Sequence, residues 1–401
     1  MGGIRLPDKT YRWVVVAYTL VIQAVSLGVL LYSFALFAVP WLDLFEAPRR
    51  DVMLIGSLMQ FGVGIFSPLV GRMMDRYPMY WVIYAGLGLL LIGLLLGSRA
   101  TALWHLQLLY ATVFPFSMAL MGTLASQTLI TRWFAEQRGM AIGISATGTN
   151  LGGIVFPMLV ASGLALFGWR ETFVWLGVIS LVLVGPLTWL VLRRPSPPPD
   201  PNTTTEHLDG RIWKTQEILT SSRFWLPVTC ILPMMIAFGA VQLNIGALAG
   251  DLGFGADVAA RLVATSAVCM VLGKFFFGSL GDRLDHRYLF WISLAFMAAA
   301  MLVLQMEAAL WVLTLGVVCV GLSGGGLLPL LGLIFGARFG VASFGRVMGL
   351  VMLSLTVGSA GPLLAGWLYD LTGSYDAAFM LFLGMFLPAG IAMRWLQPPG
   401  S

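Results

Sequence analysis

The sequence predicts an all-α membrane protein built from twelve transmembrane helices. Of its 401 residues 59% are hydrophobic and only 10% are charged, and the mean hydropathy is +0.89. Soluble globular domains do not have that composition. The apolar residues are also gathered into runs of roughly 20 or more, the length a helix needs to cross the hydrocarbon of a bilayer. Finally, the basic residues are sorted between alternate connections rather than scattered.

In chain order the runs fall at 13 to 38, 52 to 70, 79 to 97, 103 to 131, 139 to 165 and 169 to 192, then at 224 to 249, 257 to 280, 288 to 306, 309 to 335, 346 to 369 and 376 to 396. The longer ones reach across the bilayer with some tilt. The first follows a short arm holding Arg5, Asp8, Lys9 and Arg12 without a small-residue cleavage pattern, so no cleavable signal peptide is expected. Between the sixth and seventh runs, residues 193–223 open with Arg193-Arg194-Pro195-Ser196-Pro197-Pro198-Pro199 and read as a flexible linker that buries nothing. Three parts follow: an N-terminal six-helix half at 1–192, the linker, and a C-terminal six-helix half at 224–401.

The net charge of +5 does not mark a nucleic-acid binder. With the N-terminus inside, 17 Lys/Arg lie in cytoplasmic segments and 5 outside, namely Arg49, Arg50, Arg99, Arg170 and Arg261. Positive residues stay on the cytoplasmic side, so both termini are expected there. The sequence points to a multi-pass protein of the cell (inner) membrane, functional as a monomer, with the lipid bilayer as its surroundings and no nucleic-acid partner. Cys230, Cys269 and Cys319 lie in three separate runs, and His105, His207 and His286 are scattered, so no metal site or cofactor is expected. No phosphate-binding loop or catalytic constellation is present, which argues against an enzyme.

Lys274 is the one formally charged side chain in the interior of any run. A lone ammonium at membrane depth is costly, and such residues mark functional sites. It stands eight residues before Asp282, about 12 Å along a helix axis, farther than a lysine reaches by snorkelling. An anion-binding role in transport follows. Polar or aromatic residues at a similar level are Ser26 and Tyr32 in the first run, Ser117 in the fourth, Ser145, Thr149 and Asn150 in the fifth, Gln242 and Asn244 in the seventh, Ser323 in the tenth and Ser354 in the eleventh. Each is a candidate for the solute site, and each could instead bond a helix carbonyl. Gly321, Gly324, Gly325, Gly326 and Pro329 weaken the tenth run as a helix and admit either a bending gate or close packing.

The two halves repeat each other weakly. Gly71-Arg72-Met73-Met74-Asp75-Arg76 returns as Gly278-Ser279-Leu280-Gly281-Asp282-Arg283, and Phe134, Arg138, Pro157 and Gly168 match Phe339, Arg346, Pro362 and Gly373 at offsets of 205 to 208. Duplicated six-helix halves with G-x-x-x-D-R after the second and eighth helices resemble the major facilitator superfamily along the whole chain. The resemblance implies two pseudo-symmetric halves that rock about a central site to give alternating access. It also implies a gate in which Asp75 meets the helix opening with Arg346 and Asp282 the helix opening with Arg138, with Arg76 and Arg283 beside them.

Asp8, Tyr11 and Trp13 before the first run, and Arg132-Trp133-Phe134 with Arg138-Gly139-Met140-Ala141 before the fifth, resemble the monocarboxylate transporter family. Lys9, Thr10 and Arg12 depart from its small residues. In that family, and in the oxalate:formate antiporters, an intramembrane arginine that binds the substrate carboxylate stands where this chain has Lys274. The family's aspartate one turn earlier and lysine in the first helix correspond here to Met270 and about Leu31, and the antiporters' second cation falls near Ser354 or Leu355. One cation balances one carboxylate, so a small organic monoanion is expected, and the resemblance implies a monocarboxylate of lactate or pyruvate size. An amine surrenders its proton on burial more readily than a guanidinium, which makes Lys274 the expected proton carrier of a symporter. The rival readings are an exchanger like the antiporters, and an anion sensor that binds without transport.

Overall fold

The computed structural model describes residues 8–134, 136–194, 211–251, 253–306 and 309–396. Among them twelve helices are long and apolar enough to cross a membrane. They are α1 (Thr10–Ala38), α2 (Arg50–Arg76), α3 (Met79–Ser98), α4 (Leu103–Trp133), α5 (Arg138–Phe167), α6 (Trp169–Val191), α7 (Ser222–Gly246), α8 (Asp257–Gly281), α9 (His286–Val303), α10 (Leu310–Phe339), α11 (Phe344–Thr372) and α12 (Asp376–Trp395). The secondary structure is helical because a helix alone closes every backbone hydrogen bond within one segment, which hydrocarbon demands. Large apolar side chains such as Ile65, Leu166 and Leu387 stay exposed on the outer faces, as contact with lipid requires.

The helices gather into two compact units. One comprises Met1–Ala135, Ile144–Arg211 and Phe339–Leu353, and the other Glu136–Gly143, Ile212–Arg338 and Ser354–Ser401. In the first unit, α5 lies so close on α1 that a Cβ on Gly148 or Gly152 would strike the carbonyls of Leu20 and Ala24. Four-residue spacing puts both glycines on one face, and their missing side chains let the backbones touch. Polar atoms are spent on neighbouring helices: Tyr11 Oη donates to the Val191 carbonyl at 2.6 Å, Tyr18 Oη and Thr188 Oγ1 lie 2.7 Å apart, and Tyr84 Oη donates to the Gly185 carbonyl at 3.0 Å. An aromatic cluster of Phe37, Trp41, Tyr110, Trp169 and Phe173 fills one end.

In the second unit, α10 supplies the contact surface. Gly321 abuts Cys269 and the Ser266 carbonyl, Gly325 the Met270 carbonyl, Gly324 the ring of Phe238 and Gly326 the ring of Phe277. The helix runs unbroken from Leu310 to Phe339 with Pro329 inside it. Its glycines therefore serve close packing in this conformation, and the breaks lie elsewhere. A π-turn spans Gly28–Tyr32 in α1, non-helical residues interrupt α4 at Thr112 and Gly122, and a 3-10 turn spans Thr356–Ala360 in α11. At the first of these breaks the chain packs tightly: a Cβ on Gly28 would enter the ring of Phe156.

Two expectations change at the segment ends. The helix expected to close at 335 continues to Phe339, which places Arg338 inside it and 2% exposed. In the stretch expected to bury nothing, Trp213 and Ile218 are buried and Thr215–Thr220 forms a short helix. Its apolar residues find cover that the composition of the whole segment hides. Residues 195–210 of that stretch, and the arm through Pro7, lie outside the described residues, as do the side chains of Asp8 and Lys9. Gly168 and Gly373, which match in the internal repeat, take φ of +81° and +75°, a backbone that only glycine adopts without strain.

Close backbone packing makes a stability prediction. Gly325→Val drives a side chain into the Met270 carbonyl, whereas Gly384 has nothing near a would-be Cβ. The first change should cost about 1 to 3 kcal/mol or more and Gly384→Ala should cost nothing, read as midpoints of thermal unfolding in detergent.

Candidate functional site

Lys274 lies within α8 with 1% of its surface exposed. Its position is set by glycines on α5 and α8. A Cβ on Gly143 would strike the Lys274 carbonyl, and one on Gly278 would stand 2.6 Å from the Gly139 carbonyl oxygen. The first two turns of α5 thus lie flush against α8 along one face, and Gly273 on another face meets the Leu322 carbonyl of α10. Close contact on two sides leaves α8 little freedom to rotate, which holds the amine at one azimuth. An ammonium so placed can hold a small anion where water is scarce and Coulomb attraction is strong.

Asp282 follows α8 directly. Its Oδ1 accepts from the Gly139 amide at 2.7 Å and its Oδ2 from the Met140 amide at 3.0 Å. These are opening amides of α5, which lack partners inside their own helix. Asp75 at the end of α2 does the same for α11: Oδ1 accepts from Gly345 at 3.0 Å and Oδ2 from Arg346 at 2.9 Å. A carboxylate at a helix N-terminus also meets the positive end of the helix dipole. Gly71, four residues before Asp75, presses on the Gly345 carbonyl just as Gly278 presses on Gly139. The glycine of G-x-x-x-D-R admits the neighbouring helix end, and the aspartate binds it. Arg76 and Arg283 are exposed, and Arg138 and Arg346 are half-buried. Arg132 donates to the Met74 carbonyl at 2.6 Å, one residue from Asp75.

The other expected positions are spread over several environments. Ser117 Oγ donates to the Gly86 carbonyl at 2.7 Å, and Ser323 Oγ to the Ser293 carbonyl at 2.9 Å, so both tie helix to helix. Tyr32 is 39% exposed and lays its ring beside Gly153. Asn150 Oδ1 accepts from Thr149 Oγ1 at 3.2 Å, and Ser354 is half-buried just before the 3-10 turn of α11. Ser26 is fully buried on α1.

Two polar residues escaped the sequence reading. Gln23, 1% exposed, donates from Nε2 to the Ser145 carbonyl at 2.9 Å and approaches Ser145 Oγ at 2.7 Å. Thr19, Gln23 and Ser26 recur at i, i+4 and i+7, so a polar stripe on an apolar helix was the signal available. Arg338 is the other: its Nη1 donates to the Ile334 carbonyl at 3.0 Å and lies 3.5 Å from His286 Nδ1. Next to it, Asp285 caps α9 by accepting from the Arg287 amide at 2.9 Å, and the Arg287 guanidinium holds its carboxyl below the usual range.

Twelve membrane helices, with matched aspartates on the opening amides of α5 and α11, define a polytopic transporter fold. A family model described as the Major Facilitator Superfamily matches residues 19–255 and 229–401, and the chain belongs to that superfamily, a family of transporters and not of enzymes. The fold agrees with solved members. The proton:xylose symporter XylE superposes with a TM-score of 0.74 at 14% identity, over 98% of this chain and 97% of that one. The human organic anion transporter MFSD10 gives 0.71 at 15% identity, over 97% and 100%. Within the superfamily the chain is similar to Monocarboxylate transporter 13 of Rattus norvegicus, 29% identical over 395 residues that cover 96% of this chain and 88% of the relative. Monocarboxylate transporter 11 of Mus musculus is 28% identical over 399 residues, covering 94% and 85%.

The aspartate contacts can be tested on stability. Asp282→Ala leaves the Gly139 and Met140 amides without their acceptor and should cost about 0.5 to 2 kcal/mol, as for other helix caps. Arg283→Ala, at an exposed side chain, should stay within about 0.5 kcal/mol in the same thermal assay.

Proposed function

We propose that the protein is a secondary active transporter of small organic monocarboxylates of lactate or pyruvate size, working as a proton-coupled symporter by alternating access. The observation that carries this reading is the buried amine of Lys274, 1% exposed in the middle of an apolar helix. A charged residue at that depth is costly and marks a functional site. The names of the relatives supply the solute class. One carboxylate neutralises one ammonium, whereas a dicarboxylate leaves a net negative charge in a medium of low dielectric, at a cost of several kcal/mol.

In the proposed cycle Lys274 is charged while the solute is bound and neutral when the empty site returns, so one proton moves with one anion. Residues 1–192 rock against 224–396 as two pseudo-symmetric halves, and both termini stay in the cytoplasm of a monomer in the cell membrane. The bonds of Asp75 to Gly345 and Arg346, and of Asp282 to Gly139 and Met140, each join residues on opposite sides of the segment 193–223. They act as a latch that breaks and reforms, with Arg76, Arg138, Arg283 and Arg346 at the same ends. Tyr32, Ser26, Ser117, Asn150, Ser323 and Ser354 complete the proposed solute and helix-contact set.

Purified protein in liposomes with an imposed proton gradient tests the reading. Radiolabelled lactate should accumulate, and unlabelled monocarboxylates should compete better than dicarboxylates. Lys274→Ala should abolish binding, while Lys274→Arg should bind yet lose its response to the gradient. Normal uptake by Lys274→Ala defeats the binding assignment, and full proton-driven uptake by Lys274→Arg defeats the proton-carrier role. Strict dependence on internal solute, without response to the gradient, assigns an exchanger instead. Binding without accumulation assigns a sensor.

A further inference from the structure

Among the buried oxygens of the first compact unit that have no hydrogen-bond partner are Gln23 Oε1 and Ser26 Oγ, both on α1 and one turn apart. The orientation of the Gln23 amide is not free. Its nitrogen side faces the Ser145 carbonyl at 2.9 Å, and a carbonyl only accepts, so the amide nitrogen must point there. The amide oxygen is thereby left as a pure acceptor. Ser26 Oγ lies 3.4 Å from the place a Cβ on Gly122 would take. Gly122 is where α4 breaks, with φ of −89° and ψ of −141°, and where the second half of that helix, Thr123–Trp133, begins without a side-chain cap.

Polar groups left open at membrane depth are costly unless something fills them at another stage. Here an acceptor and a hydroxyl stand one turn apart on α1, and the hydroxyl lies beside the donor end of a half-helix. Half-helix N-termini of this sort face anionic or polar solute groups in other transporters. Both oxygens are closed to solvent in this conformation, so whatever meets them enters when the helices part.

We infer that Gln23, Ser26 and the helix opening at Gly122 form a polar pocket in the first unit that receives the hydroxyl group of a small hydroxy acid. The hydroxyl donates its proton to Gln23 Oε1 and accepts from Ser26 or from the opening amides of Thr123–Trp133. A keto oxygen cannot satisfy Gln23 Oε1, because it carries no proton, and an unsubstituted acid reaches neither group. The pocket thus separates 2-hydroxy acids from their unsubstituted counterparts. This inference rests on the solute class proposed above.

Liposome uptake of 2-hydroxypropanoate and propanoate by wild type, Gln23→Leu and Ser26→Ala tests it. Wild type should favour the hydroxy acid. Gln23→Leu should raise its KM by about tenfold or more and Ser26→Ala by about threefold, with propanoate within about twofold, since a buried group built to bond a hydroxyl rejects the analogue lacking it. An equal shift for both acids, as a packing defect or a buried water gives, overturns the pocket, and so does no shift at all. Should Gln23→Leu fail to fold, Ser26→Ala loses a single oxygen and carries the comparison alone.

Cysteine labelling reads the pocket independently of uptake. In a background with Cys230, Cys269 and Cys319 replaced by alanine, Ser26→Cys should react with N-ethylmaleimide in membranes, and 2-hydroxypropanoate should slow that reaction more than propanoate does. Lack of labelling under every condition overturns the inference. If wild type moves neither acid, the solute class proposed above fails while labelling of Ser26→Cys still decides whether the pocket opens.

Discussion

Hydrocarbon offers no hydrogen bonds, and nearly every feature of this protein is a response to that fact. Helices close their own ladders, so the described residues form twelve apolar rods. What a rod cannot satisfy by itself is passed to a neighbour: tyrosine hydroxyls to carbonyls of α6, serine hydroxyls to carbonyls of α3 and α9, and opening amides of α5 and α11 to two aspartates. Apolar packing between helices brings little gain where lipid is equally apolar, so glycines that let backbones touch do much of the holding.

The same constraint makes exceptions informative. Lys274, Gln23 Oε1 and Ser26 Oγ are polar groups taken out of water, and glycines stand against Lys274 and beside Ser26. Gly143 and Gly273 seat α8, and with it the amine of Lys274, against two helices. Gly122 breaks α4 next to Ser26. Rigid placement of a few polar groups in a dry interior is what lets a transporter distinguish solutes at modest cost in contacts. The contacts of Asp75 and Asp282 stand at the opposite extreme: they lie at helix ends, where water can replace a lost bond.

Much of the fold was legible because the signals are local. Runs of apolar residues set the helices to within a few residues, and the repeat of G-x-x-x-D-R picked out both aspartate contacts together with the helices they meet. The ends were less legible. Arg338 looked like a loop residue because it is charged, yet its helix continues and its guanidinium finds the Ile334 carbonyl. Trp213 and Ile218 looked like linker because their segment begins with prolines, yet they are covered. The glycine cluster of α10 left a bending gate and close packing both open, and in this conformation it is a packing face.

The sequence by itself determined the helix count, the membrane setting, the superfamily pattern and the lysine inside an apolar run, since each depends on composition or spacing along one strand of chain. Tertiary structure decided which helices break, which serines are spent on carbonyls, and that Gln23 is held by Ser145 with its oxygen left over. Those facts depend on what lies opposite a residue, across 122 positions of chain in the case of Gln23 and Ser145. No local pattern encodes an opposing carbonyl.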